Sequence, residues 1–458
     1  MSKSFTKSLI AASLALTALA GCNSADPITT VEEARFATYN LSFDRKTYEG
    51  LVNEMGLSLQ EQSSLIARYK AKDTSLTDKE KETAKHVIQI RNVAETIQRV
   101  RPNAFVLAEF NNDGEGKDMA AINGFQNNYL AHSQNGQQAI LFKYKKNFAT
   151  NTGKASGFDL DRNGKKTDTH NDAWGFGEYH GQYAFAIFSQ FEIDESNVRT
   201  FQNFKWKDMP GEKNIPIVDC KSPKTGKNIC PAGMKEGDAW YSKEAWEQIP
   251  LSSKNHVDVP LFIPTATGNQ TIHFLVSHPA PPVFNNVANH NYEHNRAELK
   301  FWNDYINSET YFYDDKGKRG GLTAGSKFVI AGDMNADALK GDGDRRMIAD
   351  LLKSHYVNTS ATIGDNTPTS KGGPECFDLG HCKAANKDTL YPEAITSVSG
   401  LRLDYVIPSA NITVKNSGVF FPASNEEGYH LVFDKELGAS KGVTSDHRMV
   451  WVDFDLSK

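Results

Sequence analysis

Lys327-Phe328-Val329-Ile330-Ala331-Gly332-Asp333-Met334-Asn335 is the stretch on which the reading of this chain turns. Its aromatic and β-branched residues favour a buried strand, and the apolar run stops at once on a Gly-Asp-x-Asn step. A strand that ends on an acid holds carboxylate and amide groups on a rigid support with little positional slack. A second stretch near the C-terminus, Thr444-Ser445-Asp446-His447-Arg448-Met449-Val450-Trp451-Val452, sets a polar step directly before an apolar run. Two such steps, far apart in sequence, point to one composite site assembled by the fold.

Working outward, the same juxtaposition recurs. Arg35–Leu41 reads as a strand carrying Asn40, Ala104–Ala108 as a buried strand with Glu109 at its end, and Thr271–Ser277 as a strand followed by His278. Leu403–Ile407, with Asp404, and Met449–Phe454 read as closing strands, and Ala139–Phe142 and Tyr183–Phe188 as two more. Residues 44–85, rich in Lys, Glu, Gln and Leu, predict a helical insertion. His86–Val100 has apolar residues at helical spacing and is stopped by Pro102, and Arg296–Ile306 is a second amphipathic helix. Residues 200–255 and 358–400 lack periodicity and read as loop-rich excursions. Alternating strands and helices with hairpin-like strand pairs predict a layered α/β domain over residues 35–458.

Composition bounds the function. The 458 residues contain 39% hydrophobic and 23% charged residues, the profile of a folded, polar-surfaced protein. The formal charge of −5, from 51 basic and 56 acidic residues, argues against a protein that coats nucleic acid mainly through a basic surface, but not against an enzyme that meets a phosphate through metal ions. Lys3 and Lys7 precede an apolar segment, Leu9–Ala20, that is short for a membrane span. It ends in Leu19-Ala20-Gly21-Cys22, which resembles the bacterial lipobox. That resemblance implies a signal peptide over residues 1–21, lipid attachment at Cys22, and a tether over 22–34. It also implies an extracytoplasmic lipoprotein, with Asn23 favouring the outer membrane. The alternative is an ordinary secretory signal with an incidental cysteine. Cys220, Cys230, Cys376 and Cys382 form an even set. Their spacing favours local bridges, Cys220 with Cys230 and Cys376 with Cys382, among the possible connectivities. A zinc site is the other reading of such a set.

The ordered series Asn40, Glu109, His278, Asp333-x-Asn335, Asp404 and Ser445-Asp446-His447 resembles the endonuclease/exonuclease/phosphatase superfamily. The resemblance implies a four-layer α/β sandwich, two packed mixed sheets flanked by helices and carrying loop insertions. It implies hydrolysis of phosphate esters with a divalent metal. Glu109 would be the central metal ligand, with Asn40 and Asp446 at or near the metal. Asp333 and Asn335 would orient the attacking water and contact the phosphate. His447 would bind or protonate phosphoryl oxygens while Asp404 holds its other ring nitrogen, and His278 would be a second active-site histidine. The elementary chemistry agrees: hydrolysis needs an activated water and neutralised phosphoryl charge, and hard carboxylate oxygens suit Mg²⁺, with Mn²⁺ or Ca²⁺ as alternatives.

Two longer stretches, Gly175–Tyr183 and His278–Phe284 followed by Asn295-Arg296-Ala297-Glu298, resemble a secreted bacterial branch of that superfamily. They nominate Tyr179, His180 and Arg296 as substrate contacts. The implied substrate is a phosphodiester in a nucleic acid, a phospholipid or a small molecule. A sphingomyelinase-like phospholipase, a phosphomonoesterase and a silent surface-binding module are the alternatives, and no obligate protein partner is evident. Asp159-Leu160-Asp161-Arg162-Asn163-Gly164 resembles the opening of a calcium loop, although position twelve falls on His170. It is read either as an irregular structural Ca²⁺ site at Asp159, Asp161 and Asn163 or as a solvated polar turn.

Overall fold

The structure, a computed structural model, describes residues 30–457; the signal segment and Cys22 lie outside the described residues. Among the described residues, twelve strands form two sheets. In chain order they are β1 (Glu33–Phe43), β2 (Ala104–Phe110), β3 (Tyr144–Asn147), β4 (Phe185–Ser189), β5 (Glu192–Ile193), β6 (Arg199–Thr200), β7 (His256–Thr265), β8 (Gly268–Ser277), β9 (Lys327–Asp333), β10 (Asp404–Pro408), β11 (Thr413–Val419) and β12 (Val450–Asp455). The first sheet runs β11-β12-β1-β2-β4-β3. The second runs β10-β9-β8-β7-β5, with β6 also on β7. Both are mixed, since β1–β2 and β8–β9 are parallel and the other pairs antiparallel.

Alternation along the strands builds the layers. Phe36, Val106, Ile187 and Phe454 of the first sheet face Val259, Phe274, Val329 and Val406 of the second in a central apolar core. The opposite side of the first sheet, with Tyr39, Leu41, Phe105 and Phe188, packs on helices α1 (Tyr48–Gly56), α2 (Leu59–Lys70), α3 (Asp78–Val100) and α4 (Ala120–Phe125). Beyond a short helical turn, α5 (Lys243–Trp246), come α6 (His290–Ile306) and α7 (Arg345–Lys353), which cover the outer side of the second sheet through Phe301, Trp302, Ile348 and Leu351. The result is helix, sheet, sheet, helix. Full burial of such side chains contributes about 1.5–3 kcal/mol each.

Some elements differ from the sequence reading. The helix expected from His86 begins at Asp78, where Thr77 and Glu80 form a capping box. Ala139–Phe142 is not a strand: Gln126 accepts from the Phe142 N–H at 2.9 Å, and Ile140 N–H goes to the Leu130 carbonyl. With those groups taken, the strand forms at β3 instead. The excursion over 200–255 is irregular as read, yet Phe201, Phe204 and Trp206 are buried in the outer core of the second sheet. Cys220–Cys230 and Cys376–Cys382 are bridged, with Cα separations of 4.9 and 5.3 Å. No helix among the described residues is long and apolar enough to cross a membrane.

Candidate active site

The two stretches quoted first meet at the ends of β9, β10 and β1. Asp404 on β10 is the direct cross-strand partner of Asp333 on β9. Two carboxylates opposed in this way repel. His447 resolves the conflict: its Nδ1 lies 2.8 Å from Asp404 Oδ2 and its Nε2 3.7 Å from Asp333 Oδ2. Thr396 donates to the same Asp404 oxygen at 2.7 Å. Burial works against a charged imidazole, but Asp404 and Asp333 overcome it and raise the His447 pKa well above the ordinary value. Burial likewise pushes the Asp333 carboxyl up. His447, His278 and the Asn40 amide outweigh it and hold Asp333 below the usual carboxylate range.

The Ser-Asp-His segment is locked to the first sheet by its own side chains. Ser445 Oγ donates to the Asn40 carbonyl at 2.6 Å and lies 2.9 Å from Ser42 Oγ. Ser42 in turn donates to Asp446 Oδ1. On β9, Gly332 has φ +152°, and a Cβ there would sit 2.0 Å from the Ser277 carbonyl. Only glycine lets β8 approach so closely, which brings His278 beside Asp333 with Nε2 at 3.5 Å from Oδ2. Burial first, and then Lys254, push the His278 pKa down to about 4, so this ring is neutral.

Glu109 stands at φ +57° near the end of β2, a conformation that side chains adopt at some cost. Asn40 Nδ2 donates to Glu109 Oε1 at 3.2 Å, while Oε2 is shut off from solvent with no hydrogen-bond partner among the described residues. Burial, with lesser repulsion from Asp44 and Asp446, raises the Glu109 pKa to about 7. An orphaned, buried carboxylate oxygen close to the charges of Asp446 and Asp44 fits a divalent cation. The compact group Asp333, Asp404 and His447 also has spacing that could hold a metal. Its members also contact one another, and Glu109 with the nearby Asp446 charge offers a second place that could hold one. Asn40 ties the two parts of the site together. Its Oδ1 accepts from Ser42 N–H at 3.0 Å, and its Nδ2 spans Glu109 and Asp333. It acts as a strut between the two carboxylates, beside Glu109.

Asn335, at φ +50°, donates from Nδ2 to the Pro279 carbonyl at 3.1 Å, and its backbone N–H goes to Asp333 Oδ1 at 2.9 Å. Glu109, His278, Asp333, Asn335 and His447 line one cleft of about 770 Å³. The three nominated substrate contacts do not. Arg296 is held by Glu212 at 2.7 Å and Glu293 at 2.8 Å, on the outer side of α6. The face of α6 that turns to the site carries Asn295 and Glu298, one helical turn apart. Asn295 donates to the Ala280 and Met334 carbonyls, and Glu298 accepts from the N–H groups of Ser253 and Ala280. Tyr179 hydroxyl lies between Asn111 Nδ2 and the Arg45 carbonyl, and His180 Nε2 is 2.9 Å from the Thr150 carbonyl. Both are loop-packing residues.

Lys254 and Tyr183 are in the cleft wall and escaped the sequence reading. Lys254 is 5% exposed, and its Nζ donates to the Pro279 carbonyl at 3.3 Å. Burial depresses its pKa against the pull of Glu298, Asp333 and Glu109. The signal was present, because Lys254-Asn255 is a polar step before the apolar run of β7. In the Asp159 loop, Asp172 joins Asp159 and Asp161. Its two oxygens accept from Leu160 N–H and from the Thr167 N–H and hydroxyl, while Asp159 and Asp161 accept from Asn163 and Gly164. These bonds shape the turn, and the three carboxylates lie close enough together to hold a cation.

The sequence model of the Endonuclease/Exonuclease/phosphatase family matches residues 37–447. The chain belongs to this family. It is accordingly a metal-dependent hydrolase of phosphate esters. No curated protein sequence matches it. Among solved structures it is similar to an endonuclease/exonuclease/phosphatase from Beutenbergia cavernae, at 12% identity over 93% of this chain and 72% of that one, with a TM-score of 0.41. A family protein from Leptotrichia buccalis matches at 12% identity over 92% and 98%, with a TM-score of 0.39. A mannosyl-6-phosphatase from Bacteroides thetaiotaomicron matches at 10% identity over 92% and 99%, also with a TM-score of 0.39.

Proposed function

We propose that the chain hydrolyses phosphodiester bonds in a nuclease-like manner, through residues 35–458 acting as the catalytic domain. The observation that carries this reading is the convergence, in one cleft, of an imidazolium bracketed by two carboxylates and an orphaned carboxylate oxygen at Glu109. Glu109 and Asp446 would hold the divalent ion, which on binding supplies charge neutralisation at the phosphoryl group. Asp333, ionised and steadied by Asn40, accepts a proton from the attacking water. The His447 imidazolium donates a hydrogen bond to a phosphoryl oxygen from Nε2, and neutral His278 and the Lys254 ammonium face the same group. The water oxygen bonds to phosphorus as the bond to the leaving oxygen breaks.

Purified protein is tested on bis(4-nitrophenyl) phosphate, 4-nitrophenyl phosphate, DNA, RNA and sphingomyelin with Mg²⁺, Mn²⁺, Ca²⁺ or chelator. The reading expects metal-dependent turnover of the diester above the monoester, abolished in His447→Ala and Asp333→Ala protein that stays folded. Folded wild-type protein inert across the panel would defeat it. We also propose an extracytoplasmic location, with the chain anchored through a lipid on Cys22. Two disulfides among the described residues support an oxidising compartment. Cys22→Ala should move the protein from the membrane to the soluble fraction and abolish incorporation of an alkyne-tagged fatty acid. Unchanged fractionation and labelling would remove the anchor.

A further inference from the structure

The cleft is lined by more than the phosphate-facing residues, and its aromatic limb has a distinct chemistry. Trp174, Phe176, Tyr183, Trp240, Tyr241 and Phe284 line it. Two of these rings stand open to solvent where folded proteins normally hide them: Phe284 is 91% exposed and Phe176 57%. They come from separate segments, one just before β4 and one just after β8. Phe176 is not a stray ring, since it lies 6.2 Å from the Tyr183 ring, at a 33° tilt.

Backbone conformation marks the same place. Tyr183 and Phe284 have φ of +60° and +57°, a region that bulky side chains seldom occupy. Glu109 and Asn335 share that region and the same cleft. Strain of this kind persists where surrounding structure over-determines it, typically at ligand sites. Here it spans both the reacting end and the aromatic end.

The charged groups of the cleft as a whole restrict what it can hold. Lys254 is the one lysine or arginine among the described residues lining the cleft, against Glu109, Asp161 and Asp333. That balance suits a single phosphate and does not draw a polyanion along the surface. The wall sets its aromatic rings beside amide and imidazole edges, with Leu160 and Ile249 as its larger aliphatic side chains, a mixture that suits a planar polar ring better than a long acyl chain. His290, whose ring burial pushes its pKa down to about 3, keeps a buried Nδ1 without a hydrogen-bond partner among the described residues. A volume of about 770 Å³ is that of a small-molecule site.

We propose that this limb receives the organic group esterified to the phosphate, and that the group is a nucleobase-sized planar ring with hydrogen-bonding edges. The substrate is then a small nucleotide ester, not duplex nucleic acid or a membrane lipid. This inference rests on the phosphoesterase reading above, and its test separates the two. Thymidine 5′-(4-nitrophenyl phosphate) and methyl 4-nitrophenyl phosphate both release 4-nitrophenolate when water displaces it from phosphorus. The ratio of their kcat/KM values should favour the nucleoside ester by at least about 10-fold. Phe284→Ala and Phe176→Ala should each lower that ratio by about 5-fold or more, the scale of ring–base stacking.

A ratio near one, or a ratio unmoved in both variants, overturns the subsite while leaving the phosphoesterase reading intact. Faster turnover of duplex DNA or sphingomyelin vesicles than of the nucleoside ester also overturns it. If neither ester reacts with any metal, the phosphoesterase reading fails and calorimetry decides the subsite alone. Thymidine monophosphate binding about 10-fold or more tighter than glycerol 3-phosphate supports it, and equal affinities end it.

Discussion

Replacing Glu109 by Gln should make the metal-free protein more stable at alkaline pH while destroying its metal site. The reasoning starts from the carboxyl itself, buried with Oε2 unpartnered and its pKa raised from 4.5 to about 7, chiefly by burial. A carboxyl whose folded pKa exceeds its unfolded value binds its proton more tightly in the folded chain. Wild-type stability therefore falls as pH rises from 4.5 to 7 and is flat above. Between pH 5 and pH 8 that single group withdraws roughly 2–3 kcal/mol. Glutamine cannot ionise and so does not incur the loss. Its oxygen still accepts from Asn40, although its new NH₂ needs a partner, so the absolute difference at one pH is a weaker measure than the change with pH. The assay is urea unfolding in chelator at pH 5 and pH 8 for both proteins. The stability of Glu109→Gln relative to wild type should rise by roughly 2–3 kcal/mol across that interval. Metal titration of the wild type should show affinity falling about tenfold per unit below pH 7, because the proton competes for the same oxygen. Parallel pH profiles for the two proteins would refute the argument that burial disfavours the charged form of Glu109 when no metal is bound.

Asp404→Asn removes the leading partner that raises the His447 pKa, so that pKa should fall. If activity requires the imidazolium, the alkaline limb of kcat/KM should shift to lower pH and kcat should drop by about 10²–10⁴-fold; an unmoved limb would assign the proton elsewhere. Lys254→Met should reduce kcat/KM by about 10–150-fold, the value of one charge-assisted hydrogen bond, without loss of urea stability. Lowered stability with full activity would instead make Lys254 a structural residue. Arg296→Ala breaks the pairs with Glu212 and Glu293 and should reduce stability by about 1–3 kcal/mol with kcat/KM within about twofold of wild type. A large kinetic defect there would return Arg296 to the site.

The sequence alone determined the chemistry on offer and the class of fold. Strand-forming runs broken by an acid, amide or imidazole are visible locally, and Asn40, Glu109, His278, Asp333, Asn335, Asp404 and His447 were found that way. Local pattern has limits where a non-local partner competes. Ala139–Phe142 looks like a strand until Gln126 takes its backbone N–H. In Asn295-Arg296-Ala297-Glu298 the sequence presents a cation, but the turn of α6 faces Asn295 and Glu298 inward and leaves Arg296 outside.

Tertiary structure decided everything that depends on register and approach. The opposition of Asp333 to Asp404 is a pairing between β9 and β10, and it is what makes His447 an imidazolium between two acids. The role of Asn40 as a strut, the seating of Lys254 beside Pro279 and the aromatic limb around Phe176 and Phe284 arise from contacts between segments far apart in the chain. Burial then sets the charge states, because the same side chain titrates differently once its neighbours exclude water. A sequence lists the groups; only the packed chain fixes which of them share one desolvated space.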